Sequence, residues 1–233
     1  MSVTMPPLTI ALPAGRLYVE AVELLKRCGL DLEAWRGDER RLLWTSPDGR
    51  RRFLVARPAD VATYVERGTA DLGITGKDNL LESQDDVHEV LDLRFGGCRL
   101  VLAAPGGRLP ERLASGNGHG LSSGLRVATK YPRFARRHLA ELGLAAQVIT
   151  LHGATELAAV AGLADAVIDA VDTGATLRNN GLAPVKDLAA SSARLICNRA
   201  AFQLRREEVA ELVGQVRGLV EEHAQKGVGQ DAR

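Results

Sequence analysis

Cysteine is scarce in this chain. Cys28, Cys98 and Cys197 are odd in number, widely spaced and without a C-x-x-C pair, so neither a disulfide framework nor a structural metal is expected. The five histidines, His88, His119, His138, His152 and His223, show no ligand spacing either. Charge of one sign is not in excess: 30 Lys and Arg stand against 29 Asp and Glu, so no global field steers the chain to nucleic acid or to a membrane surface. Aromatic residues make up 4%, too few for a platform on which single-stranded bases would stack. No run of 18 apolar residues occurs, and Met1 to Pro7 lacks a basic n-region and an apolar h-region. Cytoplasmic localisation is the expectation. No serine, histidine or cysteine sits in a nucleophile-and-base arrangement, which points to a protein that positions charged substrates rather than attacks them covalently.

What is present suits an α/β enzyme: 233 residues, 45% hydrophobic, with 24 glycines. Leu8 to Leu12 reads as a strand, turned by Pro13-Ala-Gly15-Arg16 into a helix carrying Leu17, Ala21, Leu24, Leu25 and Cys28. Leu42 to Thr45 and Phe53 to Arg57 flank Pro47-Asp48-Gly49, a hairpin signal. A helix follows from Pro58 to Glu66, then strand Ala70 to Ile74, and Thr75-Gly76-Lys77-Asp78 opens another helix. Strands are predicted at Val87 to Leu93, Cys98 to Ala104, Leu125 to Ala128, Gln147 to Leu151, Val185 to Leu188 and Ala193 to Cys197. Helices are predicted at Pro132 to Leu142, near Glu156 to Ala161, and along an amphipathic Leu204 to Ala224. Ser115 to Gly124 is the clearest loop. Alternating strands and helices predict parallel sheets. An internal echo links Glu66-Arg-Gly-Thr-Ala-Asp71 and its Thr75-Gly76 to Ala161-Gly-Leu-Ala-Asp165 and its Thr173-Gly174, suggesting two lobes built alike.

The most informative stretch is Asp165-Ala-Val-Ile-Asp169-Ala-Val-Asp172-Thr173-Gly174-Ala175-Thr176-Leu177. It reads as a buried strand ending in carboxylates, a Thr-Gly-x-Thr turn, then a helix that Gly181 stops. Such a turn aims backbone N–H groups and threonine hydroxyls at one point, where donors and helix dipole both favour a phosphate. Asp169 and Asp172 beside it suit sugar hydroxyls or Mg²⁺. Phosphate plus vicinal diol describes a ribose 5-phosphate, although an ordinary strand-to-helix turn shares the pattern. Glu156, on the preceding helix, is placed to reach the same ribose.

Other candidates are cationic. Seven arginines crowd Arg36 to Arg57, at positions 36, 40, 41, 50, 51, 52 and 57. Alternation on a hairpin keeps them from facing one way, so most form a solvated edge and one or two would hold a polyphosphate. Arg16, at the N-terminus of the first helix, is a sharper candidate. Lys77 and Lys130 each follow a strand at a turn, as anion contacts or as plain loop lysines.

Together these residues resemble the ATP phosphoribosyltransferase family, whose members catalyse the first step of histidine biosynthesis. The resemblance runs through Leu-Pro-Ala-Gly-Arg16, Arg57-Pro-Ala-Asp-Val-Ala-Thr-Tyr-Val-Glu66, Ala70-Asp-Leu-Gly-Ile-Thr-Gly-Lys-Asp78, Phe95-Gly-Gly-Cys-Arg-Leu100 and Val127-Ala-Thr-Lys-Tyr-Pro132. It continues through Gly162-Leu-Ala-Asp to Asn180-Gly-Leu182 and Ser191-Ser-Ala-Arg-Leu-Ile-Cys-Asn198. It implies an α/β fold of two lobes like type II periplasmic binding proteins, with a cleft between them. Lobe I would take 1–104 plus 189–233, and lobe II, 105–188, would carry the phosphate loop. It implies transfer of the phosphoribosyl group of PRPP to N1 of ATP, with pyrophosphate released and Mg²⁺ held through substrate phosphates rather than by dedicated protein ligands. By position, Asp169 and Glu156 would address the ribose hydroxyls, and Asp172, Thr173, Gly174, Ala175 and Thr176 the 5-phosphate. Arg16 and Arg40 would face the pyrophosphate or nucleotide phosphates, with Gly15, Gly76, Lys77 and Lys130 as further contacts to ATP or pyrophosphate.

With nothing after the last helix to form an extra regulatory domain, the chain resembles the family's short form. That form implies a homodimer and a hetero-octamer with a regulatory paralogue related to histidyl-tRNA synthetase. Three other readings remain: a solute-binding protein of the same fold, a phosphoribosyltransferase acting on another base, and an inactive paralogue. The lack of a leader and the Asp-rich loop weigh against the first, and the N-terminal blocks against the second. Retained Asp169, Thr173, Gly174 and Thr176 weigh against the third.

Overall fold

The computed structural model describes residues 5–32, 42–110 and 124–228. Arg36, Arg40 and Arg41, and the Ser115–Gly124 loop up to residue 123, lie outside the described residues. The chain divides into two compact units. The first runs up to Gly96 and resumes at Ser192; the second is Gly97–Ser191.

The first unit is built on a six-stranded sheet ordered β2-β3-β1-β4-β11-β5. Its strands are β1 (Leu8–Pro13), β2 (Leu43–Thr45), β3 (Arg51–Ala56), β4 (Leu72–Gly76), β5 (His88–Asp92) and β11 (Ala193–Cys197). β3, β1 and β4 run parallel, whereas β2 is antiparallel to β3 and β11 is antiparallel to β4 and β5. All six side chains of β1 are buried, as a central strand covered on both faces requires. Helix α1 (Tyr18–Arg27) buries Ala21, Leu24 and Leu25, and α2 (Pro58–Glu66) buries Val61, Ala62 and Val65. Each set recurs at helical spacing. α3 (Lys77–Ser83) follows β4 directly.

The second unit carries a five-stranded sheet ordered β10-β6-β9-β7-β8. Its strands are β6 (Cys98–Pro105), β7 (Leu125–Thr129), β8 (Ala146–Thr150), β9 (Ala166–Val171) and β10 (Leu182–Ser191). β8, β7 and β9 run parallel; β6 is antiparallel to β9 and to β10. Helices α4 (Pro132–Glu141), α5 (Thr155–Val160) and α6 (Ala175–Asn179) connect them.

The internal echo is structural. In each sheet three parallel strands are followed by one antiparallel strand and then by a strand antiparallel to that one, β3-β1-β4-β11-β5 matching β8-β7-β9-β6-β10. The two Ala-Asp pairs match as well. Asp71 accepts a hydrogen bond from the Thr9 N–H (2.7 Å) and donates its own N–H to the Thr9 carbonyl. Asp165 makes the same reciprocal pair with Arg126 (2.9 Å). Each aspartate thereby pins the start of its strand to the parallel neighbour. The Thr-Gly part of the echo does not superpose in role: Thr75 and Gly76 belong to β4, while Thr173 and Gly174 lie beyond β9.

Several expectations need correction. Both sheets are mixed rather than parallel, because β6 in one and β11 in the other run antiparallel to the strands they join. The unit boundary falls at Gly96/Gly97 and Ser191/Ser192, not after 104 and before 189, since β6 pairs with β9 and β10 of the second sheet. β10 extends over ten residues with two register shifts. The predicted C-terminal helix is present as α8 (Arg206–Val228), and a short helix not predicted from the sequence, α7 (Arg199–Leu204), precedes it. The Asn198 side chain caps α7 by accepting the Ala201 N–H. The break falls at Arg205, whose buried guanidinium reaches Asp71 (3.1 Å), Glu208 and the Pro6 carbonyl (2.8 Å).

Candidate active site

The sugar-phosphate candidates gather in the second unit, at the carboxyl ends of its three parallel strands, where open α/β sheets present their ligand sites. β7 ends at Thr129 and is followed by Lys130; β8 leads through Gly153 and Ala154 to Thr155 and Glu156; β9 delivers Asp169 and then Asp172. The first half of β9, Ala166 to Ile168, is fully buried, and the strand becomes half-buried at Asp169. Core packing therefore fixes the strand, and the carboxylate emerges only at its end.

Asp169 is held from three sides. Its Oδ2 accepts the Thr155 hydroxyl at 2.5 Å. Its Oδ1 accepts the Ala170 N–H at 2.7 Å and lies 3.3 Å from Lys130 Nζ. Thr155 is completely buried, while Lys130 remains open to solvent along nearly half of its side chain. Ala154, just before, adopts φ +45°, a left-handed conformation costing a non-glycine residue about 1–2 kcal/mol. Such strain persists where the surrounding structure dictates it. Thr129 and Tyr131 brace the Lys130 turn, the buried Thr129 hydroxyl accepting the Tyr131 N–H at 2.9 Å.

The loop after β9 has the predicted shape. Gly174 sits at φ +76°, a conformation glycine adopts without the Cβ penalty, and serves as the N-cap of α6. The Arg178 N–H makes the first helical bond, to the Gly174 carbonyl (3.1 Å). The N–H groups of Ala175, Thr176 and Leu177 thus have no acceptor within the helix. The first is taken by Thr173 Oγ1 at 3.3 Å, leaving the Thr176 and Leu177 N–H groups for an anion. Arg178 donates to the Thr173 carbonyl at 2.9 Å and so fastens the loop from the helix side. Asp172, Thr173, Ala175 and Thr176 are exposed.

The remaining candidates belong to the first unit, again at the carboxyl ends of parallel strands. Gly15 (φ +80°) and Arg16 follow β1, Arg57 follows β3, and Lys77 follows Gly76 at the end of β4. Arg16 and Arg57 are exposed. At Gly76 a Cβ would lie 2.2 Å from Asp78 Oδ1, so a side chain there requires the Asp78 carboxylate to shift. Lys77 is not a free cation. Its ammonium pairs with Glu89 on β5, and Glu89 also pairs with Arg194 (3.3 Å), which reaches Asp92 (3.0 Å). Lys77 thus belongs to an ion-pair network that links the start of α3 to β5 and β11. Lys130 stands beside the ribose candidate Asp169. Of the clustered arginines, Arg51 is engaged with Glu208 of α8 (3.3 Å), a fold contact.

Thr155, Arg178 and the Thr129–Tyr131 turn went unnoticed in the sequence. Thr155 had one visible signal, its place beside Glu156 at a helix start; the others gain meaning only from partners brought by folding. Among the described residues, no group of three or more His, Cys, Asp or Glu side chains could hold a metal ion. No described helix is long and apolar enough to cross a membrane.

Comparison with known proteins identifies the family. Residues 57–218 match the family model of ATP phosphoribosyltransferase. The ATP phosphoribosyltransferase of Symbiobacterium thermophilum is 47% identical over 221 residues, covering 94% of this chain and 98% of that protein. That of Moorella thermoacetica is 45% identical over 212 residues, covering 88% and 90%. Among solved structures, the ATP phosphoribosyl transferase (HisG:HisZ) complex from Thermotoga maritima matches with a TM-score of 0.76 at 30% identity, over 92% of this chain and 99% of that one. The periplasmic aliphatic sulphonate binding protein SsuA from Escherichia coli shares the fold alone, with a TM-score of 0.53 at 17% identity over 97% and 73% of the two chains. On the extent of the matched model and of these relatives, the chain belongs to the ATP phosphoribosyltransferase family of transferases.

Proposed function

We propose that the chain transfers the 5-phosphoribosyl group of PRPP to N1 of ATP, releasing pyrophosphate, as the first step of histidine biosynthesis. The observation that carries this reading is the convergence of Asp169, Glu156 and the Asp172–Thr176 loop at the carboxyl ends of β8 and β9. A carboxylate fixed beside an anion-binding turn matches a sugar that carries hydroxyls and a phosphate.

In this mechanism the bond from ribose C1 to the pyrophosphate oxygen breaks as a bond from adenine N1 to C1 forms. The N1 lone pair is available at neutral pH, so no strong base is required. Positive charge grows on the ribose ring while the leaving pyrophosphate gathers negative charge. Asp169 and Glu156 bind ribose hydroxyls, and the Thr176 and Leu177 N–H groups with the Thr173 and Thr176 hydroxyls hold the 5-phosphate. Fixed donors at that phosphate align C1 for attack. Arg16 contributes a guanidinium to the phosphates of ATP or of the leaving group, where a planar fork suits paired oxygens. Mg²⁺, carried on the substrate phosphates, neutralises leaving-group charge when bound. Asp172, exposed at the loop, is compatible with that cation without forming a cage for it.

The chain works, on this reading, as a cytoplasmic homodimer within a hetero-octamer that includes a regulatory paralogue related to histidyl-tRNA synthetase. The relative from Thermotoga maritima, solved as a complex of two different chains, supports a partner of this kind. Pyrophosphate release tests the reaction: it should require ATP, PRPP and Mg²⁺ together and be lost in Asp169→Asn. Release without ATP, or a rate unaltered by that substitution, counts against the assignment.

A further inference from the structure

We infer that Thr155 is a positioning residue for Asp169, leaving one acceptor site of that carboxylate open to a sugar hydroxyl. The inference rests on the phosphoribosyl-transfer reading of the site. A carboxylate offers roughly four acceptor positions, two on each oxygen. On Asp169, both positions of Oδ1 are engaged, by the Ala170 N–H at 2.7 Å and by Lys130 Nζ at 3.3 Å. Oδ2 takes the Thr155 hydroxyl at 2.5 Å, which leaves it a single position. Thr155 is completely buried, so water does not replace its hydroxyl as a donor.

The terminal torsion of an aspartate is soft and roughly two-fold. Without the Thr155 hydroxyl the carboxylate is free to turn, and the Lys130 ammonium can then span both oxygens. An Asp169 captured in that way no longer presents Oδ2 to substrate. Thr155 therefore acts through Asp169, keeping the lysine on one oxygen and the sugar on the other. Its neighbour Glu156 lies in the same first turn of α5, so the same hydrogen bond also ties the second ribose carboxylate to β9.

The test uses the full chain, with its regulatory partner if turnover requires one, carrying Thr155→Val, Thr155→Ser, Asp169→Asn and the Val/Asn double substitution. Thr155→Val should lower kcat/KM for PRPP by roughly 10- to 100-fold, the loss expected for a hydrogen bond to a charged group. KM for ATP should stay within about twofold, and Thr155→Ser should recover activity to within about threefold of the native chain, as restoring the hydrogen bond implies. In the Asp169→Asn background, Thr155→Val should weaken calorimetric binding of ribose 5-phosphate by less than about a further twofold, because coupled residues are not additive. Equal losses toward both substrates, no rescue by serine, or full additivity with Asp169→Asn would overturn the role. Calorimetric binding of ribose 5-phosphate supplies a readout independent of turnover, and Thr155→Val should weaken it while Thr155→Ser restores it. An active native chain with an unaffected Thr155→Val variant sinks the positioning role alone. A native chain that neither turns over nor binds ribose 5-phosphate sinks both readings. Should Thr155→Val fail to fold, Thr155→Cys, whose thiol is a weak donor, takes its place in the same cycle.

Discussion

Replacing Gly174 by alanine tests the phosphate loop, because the structure separates its backbone cost from its functional cost. Gly174 sits at φ +76°, where a Cβ costs about 1–2 kcal/mol. The added atom would also lie 3.0 Å from Arg178 Nη1. Arg178 is exposed and can move, but moving sacrifices its hydrogen bond to the Thr173 carbonyl, a loss of about 1 kcal/mol. The total, about 2–3 kcal/mol, falls either on stability or on the position of the loop. If it falls on the loop, the Thr176 and Leu177 N–H groups lose their aim, and each charge-assisted bond lost from phosphate costs about 1.5–3 kcal/mol, or roughly 10- to 100-fold in affinity.

Gly143 supplies the control. It has φ +69° with nothing within 4 Å of an added Cβ, and it follows α4 away from the loop. The assay is a thermal melt together with initial rates, varying PRPP and ATP separately. Gly143→Ala should lower stability by about 1–2 kcal/mol, as its backbone conformation requires, and leave both KM values alone. Gly174→Ala should raise KM for PRPP at least tenfold with KM for ATP little changed. If the two alanine variants behave alike toward PRPP, the loop does not hold its phosphate and the reasoning fails.

Other consequences are as direct. Arg16→Ala should reduce turnover by roughly tenfold to a hundredfold while melting within about 0.5 kcal/mol of the native chain, since Arg16 is an exposed side chain; equal losses of rate and stability would contradict its role. Lys130→Met removes the cation beside Asp169 and should change KM for PRPP more than KM for ATP, with added salt affecting the native enzyme more than the variant. The Cys197 thiol is pushed up to about 12 by burial, with Asp71 adding to the rise. The folded state therefore holds this proton more tightly than the unfolded chain, whose thiol ionises near about 8.5. That contribution is complete below that pH and is lost as pH climbs toward the folded value. Denaturation midpoints between about pH 8.5 and 10 should fall with a slope that Cys197→Ala flattens. Tyr18, pushed up to about 12 by burial, titrates only above that interval when unfolded. An unchanged slope would show that the thiol is not the group responsible.

The parts legible in sequence were those written locally. Ala166 to Ile168 is apolar enough to declare a core strand, and Gly174 declares a turn, so β9, its loop and α6 emerged from one window of residues. Family resemblance added the chemical meaning of Asp169, Glu156 and Arg16. The missing parts depend on partners distant in the chain. Nothing near Lys77 reveals that Glu89 will claim it, and nothing near Lys130 points to Asp169. The sheet returns had the same obstacle: β10 and β11 read as ordinary strands, and their direction is set by pairing with β6 and β4. The unit boundary followed from that pairing, since β6 is apolar whichever sheet receives it. Thr155 was hidden for a different reason, because a buried threonine at a helix start is unremarkable until its hydroxyl is seen to meet a carboxylate.

The central claim is tested most directly by mass spectrometry of the product formed from ATP, PRPP and Mg²⁺ by the purified chain, alone and with its regulatory partner. The account predicts phosphoribosyl-ATP with the new bond at N1, accompanied by one pyrophosphate per product and abolished in Asp169→Asn. A product linked elsewhere on the nucleotide, or none in either mixture, would contradict it.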